Sequence, residues 1–193
     1  MDTEHFYPEL SQLFPNTPWL AFDRALNIAA RTLCRIGLVW RVDLDPLDWE
    51  EGMAEYELFP PANTRIVQIL ELGRLTPTTI QQLHRQDARW RSRQGTPDVF
   101  APTGENRITV YPVPASTQTE AVIPRVALAP TREGPRLADD YAWPYERLLL
   151  RGAAASLGGG SWPEFEHLCY GARSHAVDGN HVGLARRVRY GGL

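Results

Sequence analysis

Histidine, cysteine and carboxylate side chains are the groups of this chain that could perform chemistry. Near the C-terminal end lie His167, Cys169, His175 and His181, residue types that bind zinc and other soft divalent metals. On one helix, however, side chains two residues apart point to different faces, so His167 and Cys169 do not converge. The six-residue spacing between His175 and His181 is also poorly matched to one face. We therefore predict no metal site and no cofactor.

The densest group of carboxylates lies nearer the N-terminus, at Asp45, Asp48, Glu50, Glu51, Glu55 and Glu57. Acid–base catalysis needs two carboxylates held in different environments over a pocket. The spacing predicts instead a loop over residues 45–51 followed by the polar face of a strand, which is typical of a solvated surface. Catalytic carboxylates, or a negative patch that faces DNA or an arginine-bearing neighbour, are the other interpretations of this group.

Common enzyme signatures are absent from the sequence. A Walker-type phosphate loop requires a lysine, and all 20 basic residues of the 193 are arginine. The glycines at 158–160 stand between two predicted helices, so they lack the strand–loop–helix context of a nucleotide site. No G-x-S-x-G elbow occurs. We predict that the protein is not an enzyme and has no catalytic residues.

Composition narrows the classes of function and cellular location that remain possible. The formal net charge of −3 argues against nonspecific nucleic-acid binding. The exclusive use of arginine favours either bidentate pairing at interfaces or a codon bias. Cys34 and Cys169 lie in apolar helical contexts, so we expect free thiols and synthesis in a reducing cytoplasm. The acidic N-terminal segment MDTEHFYPEL and the lack of an 18-residue apolar run predict neither a signal peptide nor a membrane span.

Helices are predicted near both ends. Phe22, Leu26, Ala29, Leu33 and Ile36 recur at helical spacing, which predicts a helix over about residues 18–37, capped by Thr17 and ending near Gly37. Further helices are predicted over about 140–157 and 162–187. Over about 79–91 a short helix and irregular structure are the two alternatives. The pair Ser161 and Glu164 forms a capping-box pattern, and a mobile tail is expected after about residue 183.

Strands are predicted between these helices, in a β-rich region over about residues 38–130. In ENRITVYPVP (105–114), Ile108 and Val110 are expected to be buried, while Asn106, Arg107, Thr109 and Tyr111 point outward. Pro112 and Pro114 are expected to end this segment as a stiff edge strand. The order of the elements predicts an α+β fold in one domain, residues 1–193.

Four ordered segments carry a resemblance to a known family: CRIGLVWRVDL, EYELFPPANTRIVQILEL, GTPDVFAPTGENRITVYPVP and YAWPYERLLLRGAAASL. In that order, from about Pro18 to Tyr170, they resemble the head-to-tail adaptor (connector) proteins of tailed bacteriophages. The podophage tail tubular protein A and its relatives share this plan. The resemblance implies a bundle of three to four helices with an antiparallel β-rich region inserted between the first and the last.

The same resemblance implies a structural role in the virion neck, after synthesis in the bacterial host cytoplasm. The subunits would form a ring, typically of twelve copies, that joins the portal protein to the tail nozzle or tube proteins. Double-stranded DNA would pass through the bore without sequence-specific binding, and no membrane is involved. By position alone, the portal-contacting residues would be Arg186, Arg187, Arg189 and Tyr190.

Within such a ring, the acidic loop suggests a lining for the bore. Asp45, Asp48, Glu50 and Glu51 would then face the lumen, where like charge would help DNA to slide. A tail-completion or terminator protein of the same neck region is the main alternative function. A small hydrolase is a further alternative, although the sequence nominates no pocket with convergent polar groups for it.

Overall fold

The computed structural model describes residues 3–131, 137 and 139–177. The helices in this part of the chain are α1 (Tyr7–Leu13), α2 (Trp19–Gly37), α3 (Ile80–Gln86), α4 (Asp139–Ala142), α5 (Glu146–Ser156) and α6 (Trp162–Val177). The strands are β1 (Arg41–Asp43), β2 (Leu47–Trp49), β3 (Glu55–Glu57), β4 (Thr64–Leu72), β5 (Thr76–Pro77), β6 (Gln94–Gly95), β7 (Val99–Gly104), β8 (Arg107–Tyr111), β9 (Val113–Pro114), β10 (Gln118–Val122) and β11 (Pro124–Pro130). The predicted α+β class is confirmed.

Contacts within the chain divide these residues into two compact units. The helical unit comprises the described residues up to 40, residues 62–67 and the described residues from 127 onward. The strand unit comprises residues 41–61 and 68–126. The predicted extension of the last helix to residue 187, and the mobile tail, lie outside the described residues.

The helical unit is built around α2, which packs against both α5 and α6. The predicted apolar face of α2 is buried, because Phe22, Leu26, Ala29 and Leu33 are inaccessible to solvent; only Ile36 stays partly exposed. These side chains meet the buried residues of the other two helices, which are Leu149, Gly152 and Ala153 on α5 and Phe165, Cys169 and Ala172 on α6.

Both ends of α2 differ from the sequence prediction. The helix begins at Trp19, with Pro18 as an extended cap residue and no side-chain cap, so Thr17 lies one residue too early to cap it. At the other end the left-handed residue is Leu38, with φ 50°. Gly37 remains helical because its bare Cα packs on α6: a Cβ there would lie 3.2 Å from the Cys169 carbonyl oxygen.

The helix predicted over 140–157 is interrupted. A 3₁₀ turn over Trp143–Tyr145 separates α4 from α5. Pro144 lies in this turn, and proline inside an α-helix lacks the N–H donor and clashes with the preceding turn. The following boundary agrees with the sequence, since Ser161 Oγ accepts a hydrogen bond from Glu164 N (3.4 Å) at the start of α6.

The strand unit contains a four-stranded sheet in the order β3-β8-β7-β5. β8 therefore lies inside the sheet, and the prediction that it is an edge strand was wrong. Ile108, Thr109 and Val110 are all at most 1% exposed, so Thr109 does not point into solvent as predicted. Neighbours on both sides, together with α3 packing on β7, account for this burial.

The short helix considered over 79–91 is present, but it covers only part of that range. Thr79 and Gln82 form a capping box at its start, and α3 ends at Gln86. The chain then turns, because Asp87 Oδ1 accepts a hydrogen bond from Arg89 N (2.8 Å). This turn places Trp90 at 2% exposure in a small core with Leu83 and Ala101.

The two cysteines are buried free thiols, as predicted. Burial raises the pKa of both thiols, and that of Cys169 reaches about 12, with the negative charge of Glu166 as a second cause. A buried neutral thiol is a poor nucleophile, since the thiolate is the reactive form. Cys34 and Cys169 therefore act as small apolar core residues.

The first prediction concerns Gly152. A Cβ at this position would lie 2.7 Å from Ala29 Cβ and 2.5 Å from the Phe165 ring. We expect Gly152→Ala to lower the free energy of unfolding by about 1–3 kcal/mol, because overpacking forces neighbours apart, measured by urea denaturation. Gly171→Ala on α6 is the control, with open space around it; it should leave stability unchanged or raise it by up to about 1 kcal/mol. Equal effects of the two changes would contradict this packing.

The second prediction concerns thiol reactivity. Because both pKa values are raised, the native thiols should remain protonated at about pH 8 and resist a thiol-specific reagent. Reactivity should rise only as the pH increases toward the raised values. In guanidinium, where the ordinary value of about 8.5 returns, both thiols should react quickly. Native labelling as fast as unfolded labelling would contradict the burial.

Candidate functional site

The predicted ligand types near the C-terminal end do not converge in the part of the chain that the structure describes. His167 is exposed on α6, whereas Cys169 is buried in the helical core. No group of three or more histidine, cysteine or carboxylate side chains placed to hold a metal occurs among the described residues. The His175 side chain and His181 lie outside those residues.

The four acidic candidates Asp45, Asp48, Glu50 and Glu51 lie around β2 in the strand unit, and all are exposed. The predicted loop over 45–51 is partly wrong, since Leu47–Trp49 form a strand that pairs with β10. The reason is Trp49, which is 6% exposed and stacks edge-on against Tyr56 with 4.8 Å between ring centroids. The acidic side chains therefore stand on a structured support.

Asp48 differs from its neighbours because it has a structural partner. Opposite β2, the register of β10 shifts between Gln118 and Val122, and Glu120 in this bulge has φ 49°. Asp48 Oδ1 accepts a hydrogen bond from Glu120 N (2.7 Å). A left-handed, non-glycine residue is strained, so this bond helps to hold the bulge.

Glu50 and Glu51 lie at a turn that the Tyr56 hydroxyl holds by hydrogen bonds. The Tyr56 hydroxyl donates to the Met53 carbonyl (2.8 Å) and accepts from Glu50 N (3.1 Å). Burial is the main cause that raises the pKa of Tyr56, so the hydroxyl keeps its proton. Glu51 N donates to Thr117 Oγ1 (3.2 Å). The two carboxylates thus project from an ordered backbone.

A second charged surface was missed by the sequence interpretation, which considered this segment as a short helix or irregular structure and not as a functional surface. We call it the arginine segment: residues 85–93, with Arg85, Arg89, Arg91 and Arg93 all exposed. The sequence signal for this surface was its composition, since four arginines and one acidic residue occur within nine residues. Asp87 is that acid, and its carboxylate lies 3.8 Å from Arg93.

Exposed apolar side chains form the third feature. In the helical unit Leu13, Trp19, Leu20 and Trp143 are each more than half exposed, and in the strand unit Phe59 is 71% exposed. Large apolar residues on a surface mark contacts with other proteins when they are grouped. The helical unit also has a shallow groove beside the start of α6, where Arg151 and Glu164 lie 4.0 Å apart.

The four candidate portal residues, Arg186, Arg187, Arg189 and Tyr190, lie outside the described residues. No helix in the described part of the chain is both long and apolar enough to cross a membrane. Among the described residues, we take the charged and apolar surfaces as the candidate functional features.

Comparison with protein families assigns most of this chain to one of them. Residues 8–161 match the family described as SU10 adaptor protein. No curated protein matches the chain. The family match spans most of the 193 residues, from α1 to the residue before α6, and so includes the strand unit and part of the helical unit. The chain belongs to the SU10 adaptor protein family and is a structural adaptor protein of a bacteriophage neck.

Proposed function

We propose that this adaptor forms a ring, of twelve copies, which joins the portal protein to the tail nozzle or tube and lets the genome pass through its bore. The observation that carries the proposal is the family match over residues 8–161. A ring requires two different patches on each subunit. The separate charged and apolar surfaces of the described residues support this requirement.

We further propose that the two units form one adaptor domain related in plan to the podophage tail tubular protein A. The plan would be a helical bundle with an inserted β-rich region. It is supported by the packing of α2 with α5 and α6 and by the position of the described strands, β1 to β11, between α2 and α4 in the sequence.

The third prediction tests the ring and its partner together. Mass measurement and electron micrographs of the purified chain, with and without purified portal, should show a ring bound to portal. A variant that ends at residue 183 removes Arg186, Arg187, Arg189 and Tyr190, and should bind portal more weakly while keeping the ring. A chain that binds tail tube but not portal would indicate a tail-completion or terminator protein instead.

The proposed lining of the bore is supported by the exposure of Asp45, Asp48, Glu50 and Glu51. Because like charge repels DNA phosphates, an acidic lining would let the genome slide without being held. Asp48 also accepts the Glu120 hydrogen bond. Neutralising all four residues at once would therefore mix a change of charge with a change of structure.

The fourth prediction separates these two effects. We expect the triple variant Asp45→Asn, Glu50→Gln, Glu51→Gln to slow genome ejection from assembled virions while keeping wild-type stability, because these side chains are exposed. Asp48→Asn should lower the free energy of unfolding by about 1 kcal/mol, since an amide accepts the Glu120 N–H less strongly. Ejection and DNA retention unchanged in the triple variant would remove support for an acidic bore.

A further inference from the structure

One edge of the four-stranded sheet is open in the described residues. β3 is its outermost strand, and its bonds to β8 involve alternate residues: Val110 N donates to the Ala54 carbonyl (2.9 Å), and Leu58 N donates to the Asn106 carbonyl (2.7 Å). The backbone groups of Glu55 and Glu57 therefore point away from β8. An edge of this kind can pair with another chain.

The side chains at this edge are acidic. Glu55 and Glu57 are both exposed on the face opposite to the buried Tyr56. Arg107 lies opposite Glu57 in the register of β8, yet no basic nitrogen lies within 4.0 Å of either carboxylate in the described part of the chain. The open edge thus carries two charges without an ion-pair partner there.

The arginine segment lies beside β7, which is the neighbour of β8 opposite to β3. Leu83 and Trp90 pack there against Ala101 of β7. Trp90 holds it in place: its Nε1 donates to His84 Nδ1 (3.3 Å). Tyr111 OH also donates to Asp87 Oδ2 (3.2 Å). The segment is therefore a positioned surface rather than a loose loop.

Three arginines of this segment have no acidic partner in the part of the chain that the structure describes. Arg93 lies near Asp87, but no carboxylate oxygen of the described residues lies within 4.0 Å of Arg85, Arg89 or Arg91. Arg91 stacks over the Trp90 ring, with 4.8 Å from its guanidinium carbon to the ring centroid. Since a guanidinium matches a carboxylate with two hydrogen bonds, these arginines are suited to an acidic partner on another chain.

We infer that the open β3 edge of one copy, with Glu55 and Glu57, binds the arginine segment of the next copy, with Arg85, Arg89 and Arg91. The inference rests on the proposed ring and assigns its subunit contact. The two surfaces differ in structure and are opposite in charge, which is what a head-to-tail contact between identical subunits requires. Charge complementarity of this kind steers association and rejects incorrect pairings.

A symmetric pairing of two β3 edges is disfavoured by the same charges. It would place Glu55 and Glu57 of one copy against the same carboxylates of the other, and charged residues on edge strands prevent such pairing. The arginine segment would likewise repel itself. The charges therefore favour the propagating contact that leads to a ring over a two-fold dimer.

The fifth prediction is a charge-exchange experiment on the full chain. One variant carries Glu55→Arg and Glu57→Arg, and the other carries Arg85→Glu and Arg89→Glu. Each alone should self-associate at least about 100-fold more weakly than the wild type, because both of its surfaces then have the same sign. An equimolar mixture should recover association to within about tenfold of the wild type, since every contact between the two variants is again complementary.

The measurement is sedimentation velocity at low ionic strength and at about 1 M salt, where screening shortens the Debye length to about 3 Å, with and without purified portal. Recovery in the mixture also shows that both variants are folded. The control variant carries Glu9→Arg and Asp140→Arg, two exposed acids of the helical unit. It makes the same change in net charge as the first variant and should associate as the wild type does.

The outcomes separate this contact from the ring itself. If the wild type assembles and either charge-reversed variant assembles equally well, or if the mixture fails to recover, the contact is wrong and the ring stands. If the wild type assembles neither alone nor with portal, the ring fails and the contact fails with it. An Arg85→Glu, Arg89→Glu variant that assembles normally but no longer retains double-stranded DNA would assign the arginines to phosphates instead.

Discussion

The close approach of three helices at Gly152 is the constraint on which the helical unit depends. Without a side chain at this position, the Phe165 ring and Ala29 can lie where a Cβ would otherwise be. The apolar faces of α2, α5 and α6 then close over a shared core that includes Leu26, Leu33 and both thiols. Because the core is tightly packed, it accepts neither a larger side chain nor an ionised cysteine. This part of the molecule is therefore a closely packed core that keeps both thiols protonated.

The strand unit differs from the helical unit because its short strands hold charged side chains in fixed positions. β8 lies inside its sheet and is buried along three successive residues. Around it, buried aromatic side chains provide the order: Tyr56 holds the turn at Glu50 by hydrogen bonds, and Trp90 holds the arginine segment. The Asp48–Glu120 bond stabilises a bulge in the neighbouring β2–β10 pair. Each charged surface thus rests on an aromatic or hydrogen-bonded anchor.

An adaptor acts through contacts with other proteins, and the distribution of charge in the strand unit is consistent with that role. Acidic residues are concentrated before and within β3, and arginines are concentrated from the last turn of α3 to the residue before β6. Isolated ion pairs at a surface contribute little to stability. Opposite charges that remain unpaired within one subunit can instead govern which surfaces meet and how fast they do so. Arginine suits this use better than lysine because its planar group binds carboxylates with defined geometry.

The sequence by itself determined the α+β class, the buried face of α2, the free thiols, the start of α6 and the resemblance to the adaptor family. The class, the buried face, the thiols and the helix start follow from local periodicity and capping patterns, which depend on short-range interactions. The resemblance follows from the order of the four segments along the chain. Only the tertiary structure decided that β8 is an inner strand, that Leu47–Trp49 pair with β10 and that Asp48 has a structural partner 72 residues away. It also decided which charges of β3 and the arginine segment have no ion-pair partner among the described residues. Strand order and ion pairing join residues distant in sequence, and a local pattern contains no information about which distant partner a residue will meet.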